Sequence, residues 1–397
     1  GVGPTHWGVL MHRFQTIARV VAVIGGAALA TSLAITPATA HDAAPAPVTV
    51  GVQTYNMDFG GDLSHLFAPG ADLVQATSLV WAETVASDIP TRARGVARSI
   101  ASLHPDLVGL QEVSTWRTAP TADGRTPTGA FRTDYDALAS LLCALRAMGT
   151  PYRAVAVDTT FSNETFPLPA VTATGLRLVA FTDYNVILVR ESSARHLRIS
   201  NVSTHTYQAT LPVTVAGMQI PVTRGWAQVD VSFHGRAFRF VDTHLEAWGV
   251  PDTLKDQVRN PQAMELAAVL AASPIPVVLV GDMNARPDMC TDIPRTDPAE
   301  HALDQNVVAY TILRTSGLTE AWYAVHRHGP CAPRSWTSGS RILDDPTNRL
   351  THRIDDVFTS HGARTVAVTV VGNRPWAMTG GLWPSDHAST WALVRIG

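Results

Sequence analysis

Short apolar runs typical of β-strands recur along almost the whole chain, and few helical segments separate them. Helical spacing of apolar residues is confined to Arg92–Leu103, Tyr135–Met148 and Pro261–Ala272, the last with a proline near its start. The strand-like runs are Val48–Tyr55, Leu107–Leu110, Tyr184–Val189, Leu211–Val215, Ala227–Phe233, Phe238–Val241, Val277–Val280, Asp355–Thr359, Thr365–Val371 and Thr390–Ile396. Many strands, few helices and no internal repeat predict one large α/β domain, in which two mainly antiparallel β-sheets pack together and helices flank them.

The composition is that of a folded protein with a large core. Of the 397 residues, 46% are hydrophobic and 16% are charged, which excludes a disordered or fibrous chain. Residues 1–40 hold Arg13, Arg19 and no acid, so the remaining chain carries 28 cations against 33 acids, a net charge of −5. A protein of that sign is not a nucleic-acid binder of the usual basic kind.

The N-terminal region has the pattern of an export signal. Met11 opens a short basic stretch, an apolar run extends from Val20 to Ile35, and Ala38-Thr39-Ala40 places small residues where a signal peptidase cleaves. We therefore expect residues 1–10 to lie upstream of the start, 11–40 to be a signal peptide, 41–47 a flexible leader and 48–397 the catalytic domain. The mature chain is then expected to be secreted, extracellular and without a transmembrane anchor.

The three cysteines fit an oxidising compartment. Cys290 and Cys331 both lie in polar, turn-rich segments and could pair there. Cys143 lies in a helical pattern, where a small apolar residue near the helix core is the simpler interpretation.

Polar residues stand at the ends of apolar strands in five places. In chain order these are Asn56, Gln111-Glu112, His244, Gly281-Asp282-Met283-Asn284, and a C-terminal group of Asp355-Asp356 and Ser385-Asp386-His387. Each alone is also typical of a turn or a helix cap. Together they supply carboxylate and amide oxygens for a hard cation and two histidines for proton transfer, the parts that phosphoryl-ester hydrolysis requires.

This order of motifs resembles the endonuclease/exonuclease/phosphatase superfamily, which includes deoxyribonuclease I. Pro105–Val113 is similar to the glutamate motif of that family, Gly281–Asn284 to its Gly-Asp-x-Asn motif and Ser385–His387 to its terminal Ser-Asp-His. The resemblance runs from about Val50 to the C-terminus. It implies a four-layer α/β sandwich whose site lies where the loops of the two sheets meet.

The resemblance also implies roles for individual residues. Glu112 would be the principal metal ligand, with Asn56 and Asp386 beside the metal, directly or through water. Oxygen ligands point to Mg²⁺, with Mn²⁺ as the alternative. His387 would be the general base or the phosphate-facing histidine, oriented by Asp355.

The remaining roles concern the water and the phosphate. Asp282 would position the attacking water, and Asn284 would donate a hydrogen bond to the phosphate. His244 would either give a proton to the leaving group or hold a phosphate oxygen. For Asn185, contact with the phosphate and an ordinary place in a strand are both open.

One departure from the family pattern concerns the C-terminal aspartates. Asp356 stands where the family often has tyrosine, so either Asp355 or Asp356 could orient His387, and the preceding Arg353-Ile354 favours Asp355. His326, His328 and His352 match no motif and are predicted to be solvated loop residues.

The motifs specify a phosphate ester and leave the rest of the substrate open. Substrate choice is expected to depend on four segments interpreted as loops: Asp58–Ile89, Trp116–Asp134, Asp158–Thr182 and Cys290–Asn306. The partner is expected to be a nucleic acid, a phospholipid or a small phosphoester, with no stable protein partner implied. The leading hypothesis is a phosphodiesterase or phosphomonoesterase, with a nuclease included. The alternatives are a sphingomyelinase-like phospholipase C and a catalytically silent binding module on the same fold.

Overall fold

The strands of the computed structural model form two large, mainly antiparallel sheets and one hairpin. The structure describes residues 46–68, 70–215, 217–248, 253–288, 290, 307–329, 331–339, 343–347 and 350–397. The first sheet contains, in spatial order, β15 (Ala363–Val371), β16 (Ser389–Ile396), β1 (Val48–Asn56), β2 (Leu107–Pro120), β6 (Gly175–Arg190) and β4 (Tyr152–Ser162), with β3 (Arg132–Asp136) on β2 and β5 (Leu168–Thr172) on β6. The second contains β13 (Thr319–Glu320), β14 (Asp355–Thr359), β12 (Val277–Asp282), β11 (Arg236–His244), β10 (Gly225–Phe233) and β7 (Leu197–Thr206). The hairpin pairs β8 (Leu211–Val215) with β9 (Met218–Val222).

Helices cover the outer faces of both sheets, so the domain has four layers. The described helices are α1 (Leu73–Ala86), α2 (Ile89–Leu103), α3 (Ala137–Ala147), α4 (Thr253–Ala271), α5 (Val308–Thr315) and α6 (Ala321–Val325). One buried cluster joins Ile100 and Leu141 to the first sheet, and another joins Leu266 to the second. A third cluster, which contains Val52 and Phe240, fills the space between the sheets. The predicted α/β sandwich is confirmed.

Each sheet contains a parallel pair of strands. In the first sheet β1 runs parallel to β2, with Asn56 opposite Gln111. In the second sheet β11 runs parallel to β12, with His244 opposite Asp282. Because the carboxyl ends of parallel strands meet at the same edge, the polar residues that follow these strands are brought together.

The predicted strands and helices are present, but three of the predicted loops are wrong in part. Segment 58–89 contains the whole of α1. This helix was not predicted because its apolar residues lie all around it and form no amphipathic pattern. Segments 116–134 and 158–182 contain the end of β2, the whole of β5 and parts of β3, β4 and β6. Segment 290–306 lies outside the described residues apart from Cys290, as do residues 1–45 with the predicted signal peptide.

The predicted position of Pro261 is also wrong. The helix begins at Thr253, so Pro261 lies inside α4 rather than near its start. A proline there removes one backbone hydrogen bond. The preceding turns are nevertheless helical because they are buried: Val258 is 5% exposed, and Arg259 donates to the carbonyl oxygens of Glu246 and Asn284. No helix of the described chain is long and apolar enough to cross a bilayer.

A disulfide joins Cys290 to Cys331, 41 residues apart. This pairing agrees with the sequence interpretation, whereas the interpretation of Cys143 is wrong. Cys143 is exposed, because it lies on the face of α3 opposite to Leu141 and Leu145.

We predict that removing the Cys290–Cys331 bridge destabilises the domain. Closing a loop of this length stabilises a chain by about 3–4 kcal/mol, mainly by restricting the unfolded state. The double variant Cys290→Ser/Cys331→Ser should therefore unfold at lower urea concentration. Cys143→Ser is the matched control, and equal midpoints for the two proteins would contradict the prediction.

A buried aspartate lies in strand β4. Asp158 is 4% exposed and its neighbour is the Asn185 amide, 3.4 Å away. Burial raises the pKa of Asp158 to about 7, since Asn185 lowers it only in part and Asp183 raises it further. The folded protein therefore holds this proton more tightly than the unfolded chain does.

We predict that loss of this proton lowers the free energy of unfolding as pH rises from about 4 to about 7. The raised folded-state pKa means that ionising Asp158 costs about 4 kcal/mol over that range, while below pH 4 the cost is absent. Asp158→Asn removes it, so the variant should gain stability relative to wild type as pH rises. Urea unfolding at pH 5 and pH 8 measures the difference, and parallel pH profiles would refute the assignment.

Candidate active site

Glu112 reaches the site because strand β2 is irregular at this residue. The pairing of β2 with β6 shifts register between Leu110 and Val113, and Glu112 has a φ of 53°. A β-bulge with left-handed backbone re-aims a side chain. The Glu112 carboxylate accepts hydrogen bonds from the Asn56 amide (3.0 Å) and the Phe59 N–H (3.1 Å).

The register of the second sheet places three predicted residues in one row. His244 is opposite Asp282 in the β11–β12 pair, and Asp282 is opposite Asp355 in the β12–β14 pair. The close packing of this row requires a glycine at position 281, because a Cβ there would lie 2.1 Å from the Thr243 carbonyl oxygen. Gly281 is therefore required by the packing of the backbone, whereas Asp282 supplies a side chain to the site.

Asn56 connects the two sheets at the site. Its Nδ2 lies 3.0 Å from Glu112 Oε1 and 3.0 Å from Asp282 Oδ2, so it donates to a carboxylate of each sheet. Its Oδ1 accepts from the Asp58 N–H at 2.9 Å. In this arrangement Asn56 orients the two carboxylates, and its Oδ1 keeps a second lone pair beside the one that accepts the Asp58 hydrogen bond.

His387 is held by Asp355. The Nδ1 of His387 lies 2.9 Å from Asp355 Oδ2 and 3.7 Å from Asp282 Oδ2. Burial alone would lower the pKa of His387, but the carboxylates of Asp355, Asp386 and Asp282 outweigh it and raise the pKa well above its usual value. An imidazolium suits the phosphate-facing role better than that of general base.

Asp356 belongs to a different group of charges. Its Oδ1 accepts from Arg353 Nε at 3.0 Å, and Arg353 Nη2 donates to Glu320 Oε2 at 3.0 Å. All three side chains are buried. The hydrogen-bond partner of His387 is therefore Asp355 and not Asp356.

Asp282 and Asn284 form a tight turn after β12. Asn284 has a φ of 46°, its N–H donates to Asp282 Oδ1 at 2.9 Å, and its Nδ2 donates to the Leu245 carbonyl oxygen at 2.9 Å. Burial, with the charge of Asp355, raises the pKa of Asp282 to about 6. A carboxylate of that basicity can take a proton from water near neutral pH.

His244 is fully buried between the carboxylates and an arginine. Its Nε2 lies 3.6 Å from Asp282 Oδ2 and 3.9 Å from Glu112 Oε1, while its Nδ1 lies 3.0 Å from Arg224 Nη1. Burial lowers the pKa of His244 well below its usual value, and the charges of Arg224 and His387 lower it further. His244 and His387 thus differ in charge within one site.

Asn185 is not hydrogen-bonded to the other predicted residues. Its Nδ2 donates to the Gly225 carbonyl oxygen at 3.0 Å and lies 3.4 Å from Asp158 Oδ2. These contacts hold the start of β10. A role of Asn185 at the phosphate stays a prediction.

The carboxylates around Glu112 fit a divalent cation. Burial raises the pKa of Glu112 well above its usual value, and the charges of Asp386, Asp183 and Asp58 add to it. Crowded carboxylates of this kind are the hard oxygen ligands that Mg²⁺ or Mn²⁺ prefers. Of these four carboxylates, the sequence analysis assigned Glu112 and Asp386 to the metal, whereas Asp58 and Asp183 were not predicted.

A second group of ligand-type atoms is already hydrogen-bonded. Atoms of Asp282, Asp355 and His387 lie within 4.8 Å of one another. The Nδ1 of His387 is bonded to Asp355, however, and a protonated imidazole does not bind a metal. The assignment of the metal to Glu112 and Asp386 stays a prediction.

An open cleft of about 670 Å³ lies beside Glu112 and Asp386. It runs between the residues after β1, the end of α1 and the segment before Ser385. Its charged lining in the described chain is entirely acidic and consists of Asp58, Asp62, Glu83, Glu112, Asp344 and Asp386. The cleft gives a substrate access to the predicted metal ligands.

Several residues near the site escaped sequence analysis. Arg92 is 1% exposed and donates to the carbonyl oxygens of Met57 (2.8 Å) and Asp58 (2.9 Å), which fixes the segment after Asn56. Arg224 contacts His244 from the position just before β10, 20 residues earlier in the chain. Neither residue belongs to a local motif, so the sequence contains no signal that could have identified it.

The prediction for His352 is wrong. It is 7% exposed, because it pairs with Ser338 in a short bridge, and its Nδ1 lies 3.0 Å from Thr351 Oγ1. Burial lowers the pKa of His352 to about 4, and the nearby charges of His387 and Arg286 lower it further. A neutral, buried histidine thus supports the C-terminal end of the site.

Comparison with known proteins identifies a family model that matches most of the chain. The model of the Endonuclease/Exonuclease/phosphatase family matches residues 54–387. A solved protein of that family from Bacteroides thetaiotaomicron is 14% identical, with 89% of this chain and 97% of that one covered at a TM-score of 0.51. Another from Beutenbergia cavernae DSM 12333 is 20% identical, with 88% and 72% covered at a TM-score of 0.51. At these identities the likeness shows the fold. Curated protein sequences contain no match to the chain.

We predict that Asp355→Asn lowers activity, whereas Asp356→Asn lowers stability. Loss of the Asp355 charge should lower kcat by about 10²-fold or more, because His387 loses its orientation and its ionic partner. Asp356→Asn should leave kcat of the folded fraction near that of wild type and lower the melting temperature, because Arg353 loses a buried partner. Mn²⁺ titration calorimetry should give similar affinities for both variants. An inactive Asp356→Asn beside an active Asp355→Asn would mean that the motif is one residue out of register.

Proposed function

Because this chain belongs to the Endonuclease/Exonuclease/phosphatase family, whose members are hydrolases of phosphoester bonds, we propose that it is a secreted phosphodiesterase or phosphomonoesterase. Water activated within the site attacks the phosphorus, and Mg²⁺ or Mn²⁺ is the metal. The expected export signal at residues 11–40 is the basis for secretion.

The observation that carries the proposal is the bridge made by Asn56. One amide group holds Glu112 of the first sheet and Asp282 of the second, at 3.0 Å each. The predicted metal ligand and the predicted water-positioning residue are therefore fixed relative to each other. Hydrolysis of a phosphoester needs this pairing, because the cation and the nucleophile act on the same phosphorus.

Each remaining residue supplies one part of the reaction. A divalent cation held by Glu112 and Asp386 would neutralise charge on the phosphoryl oxygens. Asp282 orients the attacking water and takes its proton, while the P–O bond to the leaving oxygen breaks and the bound cation would stabilise the electron pair that this oxygen keeps. His387, charged and held by Asp355, stabilises the negative charge that develops on the phosphoryl group. Asn284, whose second amide hydrogen remains after its bond to Leu245, donates to a phosphate oxygen.

The negative charge of the cleft favours a substrate with a single phosphate and disfavours a nucleic-acid duplex. The described lining holds six carboxylates and neither arginine nor lysine. Arg92 is buried on backbone carbonyl groups and Arg117 pairs with Glu164, so neither is available to a polyanion. A nuclease therefore ranks below a small or lipid phosphodiester, which includes the sphingomyelinase-like alternative.

A catalytically silent binding module on the same fold is the alternative of another class. Loss of Glu112 or His387 would indicate such a module. Both are present, and each makes the contact expected of a working residue. We therefore rank it last.

We predict that Glu112→Gln abolishes metal-dependent hydrolysis. The change removes one negative charge with little change in shape, so kcat/KM should fall by about 10³-fold while the fold is kept. The substrates are bis-p-nitrophenyl phosphate, sphingomyelin, inositol phosphates, RNA and plasmid DNA, each with and without Mg²⁺. Glu164→Gln, on the surface, is the matched control.

Two results would contradict this proposal. Unchanged Mg²⁺ dependence in Glu112→Gln would exclude Glu112 as a ligand. The absence of hydrolysis of every substrate by the wild-type chain, together with retained binding of one of them, would favour the silent module.

A further inference from the structure

We propose that Arg224 sets the tautomer of His244, so that His244 presents an Nε2–H to a phosphoryl oxygen as a neutral hydrogen-bond donor. The inference rests on the proposed function for its substrate and on geometry for the tautomer. It decides between the two roles that the sequence left open for His244. Arg224 is a positioning residue in this scheme, because it acts through the histidine.

The contact between the two side chains determines where the ring proton lies. Arg224 Nη1 is 3.0 Å from His244 Nδ1. A guanidinium group has only donors, so the Nδ1 of His244 must be the acceptor and carries no proton. In a neutral imidazole the proton then lies on Nε2. A proton on both nitrogens would direct an N–H against the guanidinium, which disfavours His244 as the source of a proton for the leaving group.

Arg224 is itself held in place by two buried acids. Asp183 Oδ2 lies 3.7 Å from its Nη1, and Glu246 Oε2 lies 3.5 Å from its Nε. Glu246 is fixed in turn, because its Oε1 accepts from the N–H groups of Ala247 (3.0 Å) and Trp248 (3.1 Å). The guanidinium side chain is 11% exposed. Its orientation toward His244 is therefore built into the fold.

The other nitrogen of His244 points into the candidate active site. His244 Nε2 is buried, has no hydrogen-bond partner in the described part of the chain, and lies 3.6 Å from Asp282 and 3.9 Å from Glu112. These distances are too long for hydrogen bonds. A buried N–H without a partner costs free energy, and a substrate oxygen beside the two carboxylates would satisfy it. The phosphoryl oxygen of the proposed substrate is such an acceptor.

The tautomer can be measured without any assay of activity. In the full chain labelled with ¹⁵N-histidine, long-range ¹H–¹⁵N correlation spectra distinguish a protonated from an unprotonated ring nitrogen. The resonances of His244 are identified by their loss in His244→Gln. We expect a protonated Nε2 and an unprotonated Nδ1 in the wild-type protein. A proton on Nδ1, alone or in addition, would overturn the proposal whatever the protein hydrolyses.

Two substitutions separate positioning from simple structural support. Arg224→Lys keeps a donor near Nδ1 and should retain the tautomer, with kcat within about 10-fold of wild type. Arg224→Met removes the donor and should release the tautomer and lower kcat by about 10²-fold, the loss typical of one misplaced donor. Combining Arg224→Met with His244→Gln should cost no more than His244→Gln alone, because both act through the same N–H.

The controls keep the outcomes distinct. Arg239→Met also removes a paired arginine from the β10–β11 hairpin, where Arg239 binds Asp230 at 2.7 Å, and should change neither the spectrum nor kcat. Arg224→Met leaves Asp183 and Glu246 without their cation, so if it does not fold, the wild-type and Arg224→Lys spectra still decide. Multiplicative losses in the double variant would overturn the inference. Absence of hydrolysis together with the expected tautomer would refute the proposed function instead.

Discussion

The site depends on one amide group that joins two sheets. Each sheet contributes a parallel pair of strands, and the carboxyl ends of the two pairs are connected where Asn56 donates to Glu112 and Asp282. In the proposed mechanism a cation and a water act on one phosphorus, and the residues proposed to hold them come from different sheets of the fold. Packing of the two sheets therefore positions the site, and the hydrogen bonds of Asn56 fix the carboxylate of Glu112 relative to that of Asp282.

Three of the seven non-glycine residues with positive φ in the described chain lie at the site. Asp58, Glu112 and Asn284 all have positive φ values, of 56°, 53° and 46°, although none is a glycine. Each such residue costs of order 1 kcal/mol and persists because its neighbours hold it. Asn56, Arg92 and Asp282 provide those neighbours through hydrogen bonds to the strained segments. Part of the stability of the domain thus maintains the geometry of the site.

Two histidines in one site differ because their partners have opposite charges. His387 contacts the carboxylate of Asp355 and holds its proton firmly, whereas His244 contacts the guanidinium of Arg224 and remains neutral. The environment, rather than the residue type, therefore shifts the pKa values of the two histidines in opposite directions. The crowded carboxylates around Glu112 add the third element, a set of oxygens with excess negative charge suited to a cation.

The sequence alone determined the fold class and most residues of the site, because strand periodicity and polar strand ends are local properties of the chain. It could not show that α1 is helical, that His352 is buried or that Asp355 rather than Asp356 binds His387. Adjacent positions of a strand point to opposite faces, and only the register of β14 against β12 decides which aspartate faces the site. The contact of Arg224 with His244 likewise exists only after two neighbouring strands have paired, so no local pattern could contain it.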